Sequence, residues 1–258
     1  MIDIKTPEEI EIMRQGGRVL AEVLRKVLDH IKPGVTELEL DALANRLITE
    51  KGGEPAFKKV KGYSHALCVS VNNVVVHGIP TKRAIKEGDV IGIDCGVLYK
   101  GFNTDMSETV RVSTNNKQQT TDNRDEVDKF LDTGKRALNE AIKIAKVGNR
   151  VGHISKTIQD IVEGEGYGVV RSLIGHGVGR KLHEDPEVPG FLNKKIGKTL
   201  RLSPGMTIAV EVIYNMGGHE VSHLNNDGWT ITTADGSISG LFEKTIAITE
   251  DGPEILTK

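Results

Sequence analysis

The chain spells out the same order of elements twice. Thr6-Pro7-Glu8-Glu9 reads as a helix start, with a capping threonine, proline at the first helical position and Glu9 closing a capping box. Ile12, Val19, Leu20, Val23, Leu24, Val27 and Leu28 then recur at helical spacing up to about His30. A second capping box, Thr36 to Glu39, opens another helix that stops at Gly52-Gly53. Three β-rich runs follow, 65–76, 89–99 and 102–112. The order then returns, with helical periodicity from Asp125 to Ala145 and Val151 to Glu163, and strand-like runs near 168–174, 206–214 and 241–249. A shift of 114 positions lays Gly34 on Gly148, Leu40 on Ile154, Leu47 on Ile161, Ile48 on Val162 and Gly52 on Gly166. That period is too long for a solenoid. It predicts an α/β fold of two helix-helix-strand halves, 1–112 and 125–258, related by a pseudo-two-fold axis around one core. The polar stretch 113–124 reads as a surface linker within a single domain spanning 1–258.

The run 89–112 carries two carboxylates where a buried strand calls for apolar side chains. Tyr99-Lys100-Gly101-Phe102 reads as a hairpin with a two-residue loop. Pairing Tyr99 with Phe102 sets Leu98 against Asn103, Gly96 against Asp105 and Asp94 against Ser107. Side chains alternate along a strand, so Ile91, Ile93, Cys95 and Val97 share one face and Asp94 falls on the other. Asp94 and Asp105 become diagonal neighbours on that face, and Gly96, opposite Asp105, is expected to leave open space between them. Two buried carboxylates repel unless a cation lies between them. The alternative is a pair of solvent-exposed aspartates on a sheet edge.

Other segments weigh against that alternative. His176 stands between two glycines, and His183 follows seven residues on. Glu211 and Glu243 each interrupt an apolar strand. Four oxygen donors and one imidazole suit two divalent ions such as Mn, Fe, Co or Zn, whereas the zinc-helix pattern His-Glu-x-x-His is absent. Cys68 and Cys95 are the only cysteines and lack metal-type spacing, so a reducing, cytoplasmic location is expected. A net charge of -2 with mixed signs argues against nucleic acid or membrane as the main partner. No apolar run reaches membrane-spanning length, and the acidic, amphipathic start is unlike a signal peptide.

Over nearly its whole length the sequence resembles the type I methionine aminopeptidases of metallopeptidase family M24. The matching segments are "VNNVVVHGIP", "GIDCGVLYKGFNTDMSETV", "GHGVGRKLHEDP", "GMTIAVEVI", "NDGWT" and "FEKTIAITEDGPEIL". The resemblance implies the pita-bread fold, with antiparallel sheets around a dimetal site. It makes Asp94, Asp105, His176, Glu211 and Glu243 the metal ligands, with Asp105 and Glu243 bridging, Asp94 on one ion, and His176 and Glu211 on the other. His77 and His183 would touch substrate near the scissile bond. Tyr63, Cys68, Leu182 and Trp229 match positions around the methionine side-chain pocket, where plain core packing is the competing account.

The implied activity is removal of the initiator methionine from nascent proteins, preferably before a small second residue, by hydrolysis with metal-activated water. Glu211 would also relay the proton, and His183 with His77 would hold the developing oxyanion or the scissile amide. The implied partner is a peptide or nascent-chain N-terminus, with the ribosome as an accessory, and a monomer is expected; neither nucleic acid nor membrane is a substrate. Three positions depart from the family pattern: Lys244 replaces the usual histidine, Val212 the usual proline and Leu182 a frequent phenylalanine. Alternation points Lys244 and Val212 away from the ligands, so they bear on support and leave the ligand set intact. Two rivals share the fold: a proline-specific aminopeptidase or prolidase, and a binding module without catalysis.

Overall fold

The computed structural model describes residues 2–113, 125–223 and 227–258. The linker expected at 113–124 therefore lies outside the described residues except for Ser113. In chain order come α1 (Pro7–His30), α2 (Glu37–Glu50), β1 (Glu54–Pro55), β2 (Leu67–Val71), β3 (Val74–Val76), β4 (Val90–Tyr99) and β5 (Phe102–Arg111). The second half holds α3 (Glu126–Ile144), α4 (Val151–Gly164), β6 (Gly168–Val169), β7 (Gly175–Gly177), β8 (Glu184–Val188) and β9 (Thr207–Asn215). It closes with β10 (Val221–Ser222), β11 (Ile231–Thr233), β12 (Ser239–Thr249) and β13 (Gly252–Ile255).

Both predicted capping boxes form. Thr6 accepts from the Glu9 amide while Glu9 reaches back to the Thr6 amide, and Thr36 and Glu39 repeat the exchange. The hairpin forms in the predicted register, with Tyr99 on Phe102, Gly96 on Asp105 and Asp94 on Ser107. Its loop residues Lys100 and Gly101 both take positive φ, 48° and 87°, the geometry a two-residue turn needs to match strand twist.

The β-rich run over 65–76 holds two strands. Asn72 takes a φ of 56° and turns the chain, so β2 pairs with β4 while β3 joins a separate small sheet with β11 and β10. The run near 168–174 is strand only at Gly168–Val169.

One antiparallel sheet runs β1-β4-β5-β12-β9-β7-β8, with β2 on β4, β6 on β9 and β13 on β12. The halves join at β5 and β12, where Glu243 pairs with Ser107. Each half packs two helices on one face of its strands. Leu20, Val23, Leu24 and Val27 of α1 meet Ile91, Ile93, Cys95 and Val97 in one core. Phe130, Ala137, Leu138 and Ala141 of α3 meet Val210, Val212, Phe242 and Ile246 in the other. Burying these apolar stripes on both halves supplies most of the favourable free energy and forces the alternate residues of β4, β5, β9 and β12 onto the opposite face. That face holds the acids.

Candidate metal centre

Register alone aligns the acids. Asp94 pairs with Ser107, Ser107 with Glu243 and Glu243 with Glu211, so one row crosses four strands, β4, β5, β12 and β9. Asp105 sits two residues from Ser107 on the same face. His176 arrives from β7, paired with Ala209, two residues from Glu211. One oxygen each of Asp105 and Glu243 and one ring nitrogen of His176 lie within 4.8 Å of one another. All five predicted ligand residues, with His77, His183, Tyr63, Cys68, Leu182 and Trp229, line a single cavity of about 220 Å³.

The expected opening over Gly96 is not there. A Cβ on Gly96 would lie 2.9 Å from the ring of Phe57 and 3.0 Å from Ala56, so that space is pocket wall. Glycine is required there by the close approach of an aromatic ring. The open ground lies over Asp94, Asp105, Glu211 and Glu243, all of which line the cavity.

This row is costly by itself. Asp105 and Glu243 are 4% and 3% exposed. Burial pushes the Asp94 carboxyl up to about 7. Burial raises Asp105, Glu211 and Glu243 well above the carboxylate range, and the neighbouring acids raise them further. Asp94 Oδ1 and Glu243 Oε1 are buried without a hydrogen-bond partner, which native interiors avoid. Unpartnered carboxylate oxygens converging with an imidazole are the donor set of a divalent-metal centre.

His176 is prepared for that role. Its Nδ1 lies 2.9 Å from the Gly177 carbonyl, an acceptor only, so Nδ1 carries the proton and Nε2 keeps its lone pair. Nε2 stands 3.4 Å from Glu211 Oε1. Burial, with His183 nearby, pulls the imidazole down to about 4. The His183 ring centroid is 4.5 Å away, edge to face, and burial lowers its pKa too. His77 takes a φ of 58°, a strained conformation for a side chain of this size. Gly78, next in the chain, lies hard against β2, where a Cβ would fall 2.1 Å from the Val69 carbonyl oxygen.

The pocket side is apolar. Trp229 meets Tyr63 at 5.1 Å and His77 at 6.4 Å between centroids, both edge to face. The Tyr63 hydroxyl donates to the Leu67 carbonyl at 2.7 Å, which fixes the ring. Val60, Leu98, Leu182 and Trp229 pack around Phe57, Tyr63 and Cys68. Sequence reasoning missed Phe57 and Val60, which sit beside a short turn without periodicity. It also missed Ile213 and Leu241, lining residues two positions from Glu211 and Glu243 that strand alternation could have flagged. Thr245 was missed as well; its hydroxyl donates to the Asp105 carbonyl and accepts from the Asp105 amide, tying β12 to β5 beside the acids.

The departures lie where alternation put them. Val212 is fully buried in the helical core. Lys244 points away from the acids and donates to the Thr257 carbonyl at 3.1 Å. Leu182 is part of the pocket wall.

Comparison with known proteins agrees with this geometry. The pattern of metallopeptidase family M24 matches residues 11–250. A methionine aminopeptidase of Clostridium perfringens is 42% identical over all of this chain and 99% of its own length. The crystal structure of a methionine aminopeptidase from Thermotoga maritima superposes with a TM-score of 0.92 at 42% identity, covering all of both chains. A prolidase from Pyrococcus furiosus, 24% identical, reaches a TM-score of 0.75 over 99% of this chain and 65% of its own, which shows a shared fold. Matched by the family pattern over most of its length, and end to end by relatives named methionine aminopeptidases, the chain belongs to metallopeptidase family M24, and its antiparallel sheet around the acidic row is the pita-bread fold.

Proposed function

We infer that this chain removes the initiator methionine from nascent proteins, as a metal-dependent aminopeptidase acting on free N-termini. The observation that carries the reading is a buried row of acids opening directly onto an apolar pocket walled by Tyr63 and Trp229. An unbranched, polarizable thioether packs well against such rings.

Asp94, Asp105, His176, Glu211 and Glu243 would hold two divalent ions (Co, Mn, Fe or Zn). When bound, the ions supply Lewis acidity that makes a water nucleophile available near neutral pH. Glu211 accepts the proton of that water and passes it towards the leaving amine. Desolvation lowers the pKa of His77 and, at the more exposed mouth of the site, of His183, and each has a ring N–H to donate to the scissile carbonyl or amide as charge develops there. Tyr63, Cys68, Leu182 and Trp229 receive the methionine side chain. The free α-amine is read on the Asp94 side, so one residue is removed, and a small second residue is preferred. The two halves work as one catalytic domain, because each contributes two of the four carboxylates to a sheet that β5 and β12 make continuous.

The ribosome is the accessory partner in this reading, and the surface charge supports it. No acidic residue occurs between Glu140 and Asp160 or between Glu187 and Glu211. These two stretches meet where Arg150 bridges to Arg201 and the Val151 amide bonds to Leu200. Lys146, Lys194, Lys195, Lys198 and Arg201 are all exposed there. A clustered cationic face suits the phosphate backbone of ribosomal RNA even on a chain of net charge -2. The free thiols of Cys68 and Cys95 fit a cytoplasmic setting. Among the described residues only Ile4, Val147 and Leu200 are exposed large hydrophobics, which fits a monomer, and no helix is long and apolar enough to cross a membrane.

Incubating the protein with Met-Ala-Ser and Ala-Pro peptides, with chelator or with added Mn or Co, tests the reading. Methionine release that requires metal is the expected result. Cleavage confined to the Xaa-Pro bond would assign the chain to the proline-specific relatives, and no cleavage would make it a binding module.

A further inference from the structure

We propose that Lys5, in the segment before α1, is a positioning residue for His183 and Leu182. The proposal rests on the reading above, in which those two side chains face the substrate.

The Lys5 side chain is 1% exposed and its ammonium pairs with Glu184, itself 9% exposed. The ammonium also donates to the Asp3 carbonyl at 3.1 Å. The second oxygen of Glu184 accepts from the Lys181 amide at 2.9 Å. One carboxylate therefore closes the turn from Lys181 to Glu184, and the two residues inside that turn are Leu182 and His183. The loop is also built around the lysine stem. A Cβ on Gly179 would stand 2.3 Å from Lys5 Cε, and the Gly179 amide donates to the Lys181 carbonyl at 3.0 Å. Lys5 is anchored in turn by its own amide, which donates to the Gly205 carbonyl at 2.8 Å, just before β9. A continuous path thus links the base of the strand bearing Glu211 to the turn bearing His183.

A buried carboxylate that loses its cation cannot stay as it is. Without Lys5, Glu184 has to turn towards water and release the Lys181 amide, and the apex of the turn moves with it. His183 then leaves its place beside His176, and Leu182 leaves the pocket wall. Displacement of a catalytic group by about 1 Å costs on the order of 10²-fold in rate. The expected loss is therefore in turnover and in side-chain discrimination, with the metal ligands untouched.

The test is steady-state kinetics of metal-saturated Lys5→Met and Lys5→Arg on Met-Ala-Ser and Leu-Ala-Ser, well below the melting temperature. Lys5→Met is expected to lower kcat on Met-Ala-Ser about 10- to 100-fold. It should also narrow the preference for methionine over leucine, with the metal bound per chain unchanged. Lys5→Arg keeps the cation and is expected to restore both readouts. If Lys5→Met melts earlier but keeps wild-type kcat and preference, Lys5 is structural only and the proposal fails. It fails equally if activity falls only in proportion to lost metal. Should Lys5→Met not fold, Glu184→Asp, too short to hold Lys5 and the Lys181 amide together, carries the same expectation and the same refutation. His183→Ala is assayed alongside. Its loss of turnover beside an unaffected Lys5→Met would remove this proposal alone, whereas full activity in His183→Ala would remove the reading of the site.

Discussion

Glu211 and Glu243 stand directly opposite one another on β9 and β12, Glu243 buried and Glu211 nearly so, with Asp94 and Asp105 close by on the same face. Like charges in that relation destabilise a sheet, and burial multiplies the cost. The arrangement is tolerable when the acids are protonated or when cations sit among them, and this choice sets the protein's response to pH and chelators.

With metal removed, the raised carboxyl pKa values mean that the folded protein holds these protons more tightly than the unfolded chain does. Their stabilising contribution is fully present below the unfolded values of roughly 4. It is lost as pH rises through about 7 for Asp94, and the other three, raised by burial and by their acidic neighbours, act in the same direction. The melting temperature in chelator should fall between roughly pH 5 and 8, by an amount on the order of a few kcal/mol of stability. Added Mn should abolish the slope and release protons on binding. Calorimetry across that range checks it; a chelated protein that gains stability with rising pH would contradict the account.

Replacing His183 with alanine should lower kcat by about 10²–10³-fold, the usual cost of one donor to a developing oxyanion. Metal content measured by elemental analysis should stay at the wild-type value. Loss of metal in step with activity would make His183 a ligand.

Trp229 closes the pocket against Tyr63 and His77. Trp229→Ala should lower kcat/KM on Met-Ala-Ser by about 10- to 200-fold, the range for lost apolar complementarity in a specificity pocket. Most of the change should appear in KM. An unchanged KM would move methionine recognition elsewhere in the cavity.

The cationic face gives a prediction independent of chemistry. Lys195→Glu with Lys198→Glu should weaken co-sedimentation with ribosomes at low salt by about tenfold or more and reduce its salt dependence. Cleavage of Met-Ala-Ser should be unaffected. Equal co-sedimentation of variant and wild type would rule the face out as a docking surface.

The hairpin shows how far pattern alone reaches. Tyr99 to Phe102 carry their own turn chemistry, so the register that brings Asp94 and Asp105 to one face was readable before any tertiary contact. The same locality made the capping boxes at Thr6 and Thr36 readable. Asn72 was harder. It breaks what looks like a continuous β run, because an asparagine can take positive φ without any change in the apolar pattern around it. The residues themselves offered four strand acids and one glycine-framed histidine as a metal-binding set, and the family resemblance supplied how the ligands are shared between two ions.

Periodicity, caps and turn residues determined the helices, the hairpin and the faces of the strands, since each depends on neighbours a few positions away. Tertiary structure decided the rest. The alignment of Glu211 with Glu243, the ring of Phe57 over Gly96 and the reach of Lys5 to Glu184 all join parts of the chain distant in sequence. Such contacts exist only once two helical cores have formed and turned one sheet face inward, and no local pattern encodes which distant residue will meet which.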